Sequence, residues 1–369
     1  MPVMNTVAPL SCTLYPLGGH EPMAAAPWPA EGVTVRWLRP EDALDHDLCR
    51  SLSGLAGLPA THATWCCPVP DPALPPHSRT LVAASDGLVV GRAVLEAPYH
   101  PYCELVNLCV RPDYRRRGVA TAIVAEGLRV ARALGLKYMV LQTELDSPAT
   151  RIYERAGFLR ATRCGMQRMI HLLDAPLVGL FLADHPGAEL ASAPAADLGE
   201  RWWRLAWTDG ADSVELLLHG GSCQFDSDGS QPVVQAARWV SGDRGLAARI
   251  DAPPEVCRGA VMDGGNGALI ANEPSGLRIT LRNLGAHALT VAVRAMLLPH
   301  TAIVAEHALA APQIELGPGE EAIATLAIRV EHSFPCDHQR FCSYPSVPST
   351  AEICWEGRSV LLSAAARVR

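Results

Sequence analysis

The stretch from Leu105 to Ala120 reads Leu-Val-Asn-Leu-Cys-Val-Arg-Pro-Asp-Tyr-Arg-Arg-Arg-Gly-Val-Ala. It is the most informative part of the chain because it joins a strand pattern to a helix pattern through a loop. The chain that follows, from Gly118 to Leu134, is rich in Ala and favours helix. Free backbone N–H groups and the helix dipole make a helix N-terminus a site for phosphate groups. The stretch therefore predicts a loop that holds a phosphate-bearing ligand, although an Arg-rich solvated turn would give the same local pattern.

The chain on both sides of this stretch predicts the order β-α-β-β-β-α-β-α-β. Ser85-Asp86-Gly87 between two apolar runs is a hairpin signal, and Pro148 and Gly157 mark the start and end of a short helix. The predicted elements are a strand at 33–38, a helix at 40–55, hairpin strands at 80–84 and 88–95, strands at 104–110 and 138–143, helices at 118–134 and 148–156, and final strands within 160–172.

A second motif follows, in the stretch Asp-Ser-Pro-Ala-Thr-Arg-Ile-Tyr-Glu-Arg-Ala-Gly-Phe at residues 146–158. With the Arg-x-x-Gly-x-Ala pattern of residues 115–120, it resembles the two signature motifs of the GCN5-related N-acetyltransferase (GNAT) superfamily. Both occur in the family's order, and the resemblance covers about residues 33–172. It implies an α/β fold with a mixed, splayed sheet flanked by helices, in which the strand at 104–110 parts from the strand at 138–143.

The resemblance also implies a bound acetyl-CoA, whose pantetheine arm would lie between the splayed strands. The backbone of the first strand would hold the pantetheine and polarise the thioester carbonyl, and amides of the loop would hold the diphosphate. The residues that would bind the cofactor are Leu108, Cys109, Val110, Arg115, Arg116, Arg117, Gly118, Val119, Ala120, Thr121 and Asp146.

Two residues are candidates for catalysis by the same resemblance. Tyr153 matches the tyrosine that protonates the departing thiolate, and its alternative role is packing against the cofactor. Glu104 stands eleven residues before Arg115, a spacing typical of the general-base glutamate in the histone-acetylating branch; its alternative is a carboxylate that only lines the cleft. Cys109 lies close to the expected thioester, but a strand cysteine is more often a small core residue, so we expect direct transfer.

The rest of the chain differs in composition and period. We expect a disordered tail at 1–32, an Ala- and Pro-rich linker at 173–197 and an accessory β-sandwich, immunoglobulin-like, at 198–369. Apolar residues alternate at 277–281 and 289–293, on either side of a turn at 283–287, which predicts a hairpin. A further strand at 324–330 follows Gly317-Pro318-Gly319.

Composition narrows the class of partner. Residues 101–172 carry 12 Lys and Arg against 6 Asp and Glu, inside a chain whose net charge is −7. A local positive segment between acidic flanks favours a small anionic ligand over nucleic acid. No apolar run approaches the length of a membrane span, and the twelve cysteines contain no CxxC pair, so we expect a cytoplasmic protein. Cys336, His338 and Cys342 lack the spacing of a zinc site, and no metal is expected.

The leading hypothesis is therefore an N-acetyltransferase that moves the acetyl group of acetyl-CoA to a primary amine of a small molecule or peptide. One alternative is a non-catalytic acyl-CoA sensor that acts through its β-sandwich. Another is that the sandwich is the main functional unit and binds a glycan or protein through its tryptophans, although buried core positions are the commoner role of such residues.

Overall fold

The computed structural model describes residues 32–39, 42, 78–99, 101–164, 166–199, 202–219, 233–251, 268–269, 274–296, 303–305, 313–330 and 346–368. The tail expected at 1–32 lies outside these residues except for Gly32, and the helix predicted at 40–55 lies outside them except for Asp42. The cluster of Cys336, His338 and Cys342 also lies outside them. The chain divides into two compact units, one of Met1–Leu141 with Arg151–Gly157 and one of Gln142–Thr150 with Phe158–Arg369.

The described residues of the first unit contain the strands predicted before the second motif and the helix predicted after Gly118. The elements that lie wholly in this unit are β1 Val33–Trp37, β2 Ser78–Ser85, β3 Leu88–Tyr99, β4 Tyr102–Val110 and α1 Val119–Ala133. Strand β5 spans Tyr138–Glu144 and belongs to this unit up to Leu141; helix α2 spans Thr150–Arg155 and belongs to it from Arg151. A short 3-10 turn, Pro112–Tyr114, precedes α1.

The sheet of the first unit runs in the order β1-β2-β3-β4-β5. The first four strands are antiparallel neighbours, and β5 joins β4 in parallel, so the sheet is mixed. The predicted hairpin is confirmed: Asp86 and Gly87 both have positive φ, at 50° and 79°, as a two-residue hairpin turn requires. The predicted α/β class and mixed sheet are likewise confirmed.

Helix α1 covers one face of this sheet with its apolar side. A Cβ placed on Gly127 would lie 3.4 Å from Leu105 and 3.8 Å from Leu81, so the helix approaches β4 and β2 closely at this glycine. Ile123, Val124 and Val130 of the helix are fully buried. Alternation along the strands then places Leu81 and Leu105 toward α1, and their neighbours on the opposite face.

The second unit is rich in β-strands, as the alternation in its sequence predicts. Its elements are β6 Leu159–Cys164, β7 Met166–Leu172, α3 Pro176–Asp184, β8 Glu189–Pro194, β9 Trp202–Asp209, β10 Asp212–His219, β11 Val233–Ser241, β12 Arg244–Ile250, β13 Ala268–Leu269, β14 Pro274–Asn283, β15 Leu289–Met296, β16 Ile303–Ala305, β17 Gln313–Leu316, β18 Glu321–Val330, β19 Ser346–Trp355 and β20 Arg358–Val368.

Two sheets of this unit pack on each other as a sandwich. One has the order β16-β18-β14-β12-β11-β10-β9-β8, and the other β13-β20-β19-β15-β17. The two sheets meet where β11 and β12 contact β20. Trp239 of β11 and Trp355 of β19, each 3% exposed, lie with their ring centres 6.1 Å apart in the interface. The predicted sandwich is thus confirmed, and these two tryptophans are buried in its core.

The hairpin predicted around residues 283–287 is wrong, because its strands lie in different sheets. β14 pairs with β12 and β18, whereas β15 pairs with β17 and β19. Asn283, almost fully buried, donates from Nδ2 to the carbonyls of His287 and Leu316 at 2.7 and 3.0 Å. Alternation predicts that a segment is a strand, but it does not state which strand is its partner.

Residues 173–197, expected as a linker, carry α3 and β8. Pro176 occupies the first turn of α3, where a missing N–H costs nothing, so the proline starts a helix. β8 pairs with β9 from Glu189 to Pro194. Ser192 Oγ donates to the carbonyl of Arg160 at 2.8 Å and accepts from Trp203 Nε1 at 2.8 Å, which connects β8 to β6 and β9.

No helix among the described residues has both the length and the apolar character that crossing a membrane requires.

Candidate acyl-transfer site

Strand β4 carries a β-bulge in its second half. Val94 pairs with Val106 and Arg92 with Cys109, so Asn107 and Leu108 together oppose the single residue Ala93. Asn107 has φ +56°, a left-handed conformation that Asn tolerates better than most residues. A bulge of this kind redirects the backbone N–H and C=O groups next to it. It falls at the residues expected to hold the pantetheine, Leu108, Cys109 and Val110.

The edge of β4 that faces β5 is open over this part. In the described residues, β4 and β5 pair only at Tyr102, Cys103 and Glu104, opposite residues 138–140. Beyond Glu104, β4 continues for six residues to Val110. The splayed sheet implied by the family resemblance is present, because the second half of β4 is not paired with β5.

The loop between β4 and α1 presents backbone amides and arginines together. Gly118 is the N-cap of α1 with φ +84°, and Arg116 also has positive φ, at 61°. The first backbone bond of the helix runs from Ala122 N–H to Gly118 O. The N–H groups of Val119, Ala120 and Thr121 therefore precede the helical hydrogen-bond ladder, as the first amides of any helix do.

The three arginines of the loop have different surroundings. Arg115 Nε donates to the carbonyl of Val110 at 3.2 Å, which ties the loop to the end of β4. The Arg117 guanidinium lies 5.1 Å from the ring centre of Tyr114. All three side chains are exposed, so their charge stands in solvent where an anionic ligand can reach it.

Tyr153 lies on α2, which ends before Gly157 with its φ of +89°. The side chain is 7% exposed, and burial raises the pKa of its hydroxyl to about 12. The phenol therefore keeps its proton throughout the neutral range. The predicted acid is thus available in its protonated form.

Glu104 and Cys109 lie on the face of the sheet opposite α1. Glu104 is half-buried, one residue before Leu105, which faces the helix. Cys109 is 7% exposed and packs with Val82 and Val89. A thiol in this apolar cluster has the surroundings of a core residue.

Asp146, the remaining predicted cofactor residue, belongs to the second unit. It is exposed in the turn after β5 and has φ +62°. The structure thus brings Glu104, Leu108, Cys109, Val110 and the loop at 115–121 together on consecutive elements of the first unit.

The sequence missed the bulge and two polar residues on the same sheet face. Asn107 was a usable signal, because Asn is depleted in strands and tolerates the left-handed region. Arg92 is fully buried, and Thr80 is 5% exposed. Neither stands out in the sequence, because only the strand register places Thr80 opposite Val94 and Arg92 opposite Cys109.

Part of the chain is similar to known proteins. Residues 51–158 match the Acetyltransferase (GNAT) family. Similar solved structures include nourseothricin acetyltransferase (24% identity over 27% of this chain and 67% of that chain, TM-score 0.25) and the ribosomal-protein-S18-alanine N-acetyltransferase from Escherichia coli (18%, 38% and 94%, TM-score 0.30). Another is the PaiA N-acetyltransferase from Thermoplasma acidophilum with coenzyme A (19%, 26% and 61%, TM-score 0.25). Among curated proteins, none matches the chain.

The first unit has a mixed sheet with a bulged strand that parts from its neighbour, followed by a loop rich in backbone amides and arginines. The family match then makes the assignment specific: the chain contains a GNAT acetyltransferase domain at residues 51–158. Membership in this family supports N-acetyltransferase activity. The β-rich second unit lies largely outside the matched residues.

Proposed function

We propose that the domain transfers the acetyl group of acetyl-CoA to a primary amine of a small molecule or peptide by direct attack. The observation that carries the proposal is the open edge of β4, from Leu105 to Val110, directly before the glycine-capped loop. An extended thioester ligand with a diphosphate needs these two features in this order.

In this proposal the pantetheine amides pair with the backbone of Leu108, Cys109 and Val110. The amides of residues 115–121 receive the diphosphate, with the charge of Arg115, Arg116 and Arg117 around it. Asp146 is also proposed to contact the cofactor, because it is the first residue of the second family motif. The bulge at Asn107 supports this arrangement, because it aims backbone donors away from the regular ladder.

The chemical step is nucleophilic acyl substitution. The amine nitrogen attacks the thioester carbon, and the negative charge that develops on the oxygen is stabilised by a fixed backbone N–H of β4. The carbon–sulfur bond then breaks, and the products are the acetylated amine and coenzyme A. The proton lost by the amine passes to Glu104, directly or through a water, and Tyr153 supplies a proton to the departing sulfur.

Burial affects both partners of the second proton transfer. The raised pKa of Tyr153 makes the phenol a weak acid toward a thiolate in water, whose conjugate acid has a reference pKa of about 8.5. A thiolate that leaves inside the protein is more basic than this, since desolvation disfavours the charged form. The same effect raises the pKa of the buried Cys103 thiol well above its usual range. Burial therefore raises the pKa of the donor and would raise that of the departing thiol in the same direction.

We also propose a cytoplasmic location and two domains, the acyltransferase at 33–172 and the sandwich at 198–369, on the sequence arguments above. The segment with α3 and β8 would then join them. Strand β8 pairs with β9 and forms the edge of the eight-stranded sheet, so it is part of the second domain.

The first experiment measures release of free coenzyme A thiol from acetyl-CoA with and without a panel of primary amines. We expect amine-dependent release that continues over many turnovers. Binding of acetyl-CoA without such release would favour the non-catalytic sensor. Absence of acetyl-CoA binding by calorimetry at millimolar concentration would contradict the proposal itself.

A matched pair of variants at Gly118 tests the phosphate loop. Gly118→Asp and Gly118→Asn place side chains of the same shape at a position with φ +84°, and both residue types tolerate this region. Only the aspartate adds a negative charge beside the expected diphosphate. We expect Gly118→Asp to abolish acetyl-CoA binding and Gly118→Asn to weaken it much less; equal affinities in folded variants would rule out this loop as the diphosphate site.

A further inference from the structure

Gly91 lies in β3 at a position where the structure leaves no room for a side chain. A Cβ at this residue would lie 2.9 Å from Val119 Cγ1, 3.1 Å from Ile123 Cδ1 and 3.1 Å from the carbonyl oxygen of Cys109. Carbon atoms in contact are best placed about 3.5–4.0 Å apart, so the two carbon contacts would be too short by about 0.4–1.1 Å. The space that a side chain would need at residue 91 is therefore already filled.

The backbone of Gly91 does not itself require glycine. The residue pairs with Val110 of β4, and its φ lies outside the positive range that favours glycine. Glycine in the interior of a strand weakens the strand, and it often marks a close approach of another part of the chain. The close approach of neighbouring groups, and not the conformation of β3, accounts for this glycine.

The groups around Gly91 belong to both halves of the proposed cofactor site. Cys109 lies in the segment of β4 that is proposed to hold the pantetheine, and Val119 is the first residue of α1. Val119 and Ile123 are 1% and 0% exposed, and both reach β3 at this glycine. The N–H groups proposed to receive the diphosphate lie in the same helical turn, at residues 119–121. Gly91 therefore determines how closely these amides approach the sheet.

A methyl group added at residue 91 would displace the end of α1 more than it would displace β4. Residues 91 and 92 pair with Val110 and Cys109, so backbone hydrogen bonds hold the two strands together. The helix end is held against β3 by side chains instead. A valine in a helix has one strongly preferred rotamer, so Val119 cannot easily turn away from the new group. The first turn of α1 should therefore move away from the sheet, as an overpacked core generally shifts its backbone.

We propose that Gly91 is a positioning residue of the cofactor site: the absence of a side chain lets the first turn of α1 lie close to β3, where its amides reach the diphosphate. The proposal rests on the proposed function and adds a residue that does not itself contact the ligand. A hydrogen bond from N–H to a phosphate oxygen is about 2.9 Å long, and a separation of about 3.6 Å is no longer a hydrogen bond. A displacement of about 0.7 Å along that direction is therefore enough to break one.

The test compares two glycine-to-alanine variants of the full-length protein by calorimetry with coenzyme A. Gly91→Ala adds the methyl group that meets Val119. Gly127→Ala changes the same helix–sheet contact about 12 Å further along α1, where the nearest atom would be 3.4 Å from the new Cβ. Loss of one hydrogen bond to a charged group weakens binding by about ten- to 150-fold, so Gly91→Ala should bind coenzyme A about tenfold more weakly or worse. Gly127→Ala should bind it as the wild type does.

The double variant Gly91→Ala/Val119→Ala provides the second readout. It removes the Cγ1 atom that the new methyl group meets, so it should bind coenzyme A more tightly than Gly91→Ala alone. The stoichiometry of binding separates a displaced loop from a damaged fold. A displaced loop lowers the affinity at an unchanged number of sites per chain, whereas partial unfolding lowers the number of sites.

Unchanged affinity in Gly91→Ala, or an equal loss in Gly127→Ala, would overturn the proposal. A fall in the number of sites at unchanged affinity, or a Gly91→Ala protein that does not fold, would show that the glycine serves the fold as a whole and would overturn it too. So would a double variant that binds no more tightly than Gly91→Ala. A wild-type protein that binds no coenzyme A would instead reject the proposed function, and the role of Gly91 with it.

Discussion

Replacement of Tyr153 by phenylalanine tests the proposed mechanism most directly. The change removes one oxygen from a side chain that is 7% exposed and keeps the ring that packs in the interior. If the hydroxyl donates to the departing sulfur, the variant loses a hydrogen bond to a group that becomes charged only as the carbon–sulfur bond breaks. Such an interaction stabilises the transition state more than the bound substrate.

The size of the effect follows from that chemistry. A hydrogen bond to a charged group contributes about 1.5–3 kcal/mol, and each 1.36 kcal/mol changes the rate about tenfold. The range is therefore about tenfold to 150-fold, which overlaps the lower part of the ~10² to 10⁴ typical of positioned proton transfer. We expect kcat to fall about a hundredfold, with little change in acetyl-CoA affinity.

The assay is release of coenzyme A thiol under single-turnover conditions, so that chemistry limits the rate, with acetyl-CoA affinity measured by calorimetry. A pH profile adds an independent check. The pKa of Tyr153 is raised to about 12, and the acid must be protonated to act, so this group should cause no loss of rate as pH rises to about 11. Wild-type turnover in the Tyr153→Phe variant would refute the acid role and leave protonation by water as the better account.

Further predictions concern stability and the bulge. Because the pKa of Tyr153 is raised from 10 to about 12 by folding, its contribution to stability is complete below pH 10 and is lost as pH rises toward 12. Denaturant titrations should therefore show that the wild type loses up to about 3 kcal/mol relative to Tyr153→Phe across that window, and parallel curves for the two proteins would contradict this. Asn107→Gly should keep the left-handed bulge and acetyl-CoA binding, whereas Asn107→Val, which disfavours φ +56°, should weaken binding; equal affinities would remove the bulge from the site. Gly285→Ala would place a Cβ 2.7 Å from the Asp243 carbonyl oxygen and should destabilise the protein by about 1–3 kcal/mol in chemical denaturation. Its control is Gly187→Ala, whose Cβ meets nothing within 4 Å, and similar losses in both would refute the steric argument.

The local sequence pattern was sufficient to predict most of the described helices and strands between residues 33 and 172. The Asp86-Gly87 turn favours positive φ at two successive positions, the Ala-rich segment after Gly118 forms α1, and Pro148 and Gly157 bracket α2. These signals act through the backbone preferences of a few adjacent residues. They survive in the folded chain because the packing around them makes no opposing demand.

The pairing of strands and the burial of α3 could not be predicted from the sequence. The alternation at 277–293 identifies two strands, but their separation into two sheets follows from their pairing with strands that are distant in the chain. The Ala- and Pro-rich composition of 173–197 is typical of a linker, yet α3 contacts β10 and β20 and buries Leu177, Val178 and Phe181. Burial against distant strands compensates for the weak helix signal of a short apolar segment.

The family resemblance could be read from the sequence alone, because each of its two motifs is a short continuous stretch, at residues 115–120 and 146–158. The bulge at Asn107, the open edge of β4 and the sheet face shared by Thr80, Arg92 and Glu104 could be recognised only in the folded structure. These features depend on register between strands that are far apart in sequence. A shift of one residue in that register would send each side chain to the opposite face of the sheet, and nothing in the local sequence fixes it.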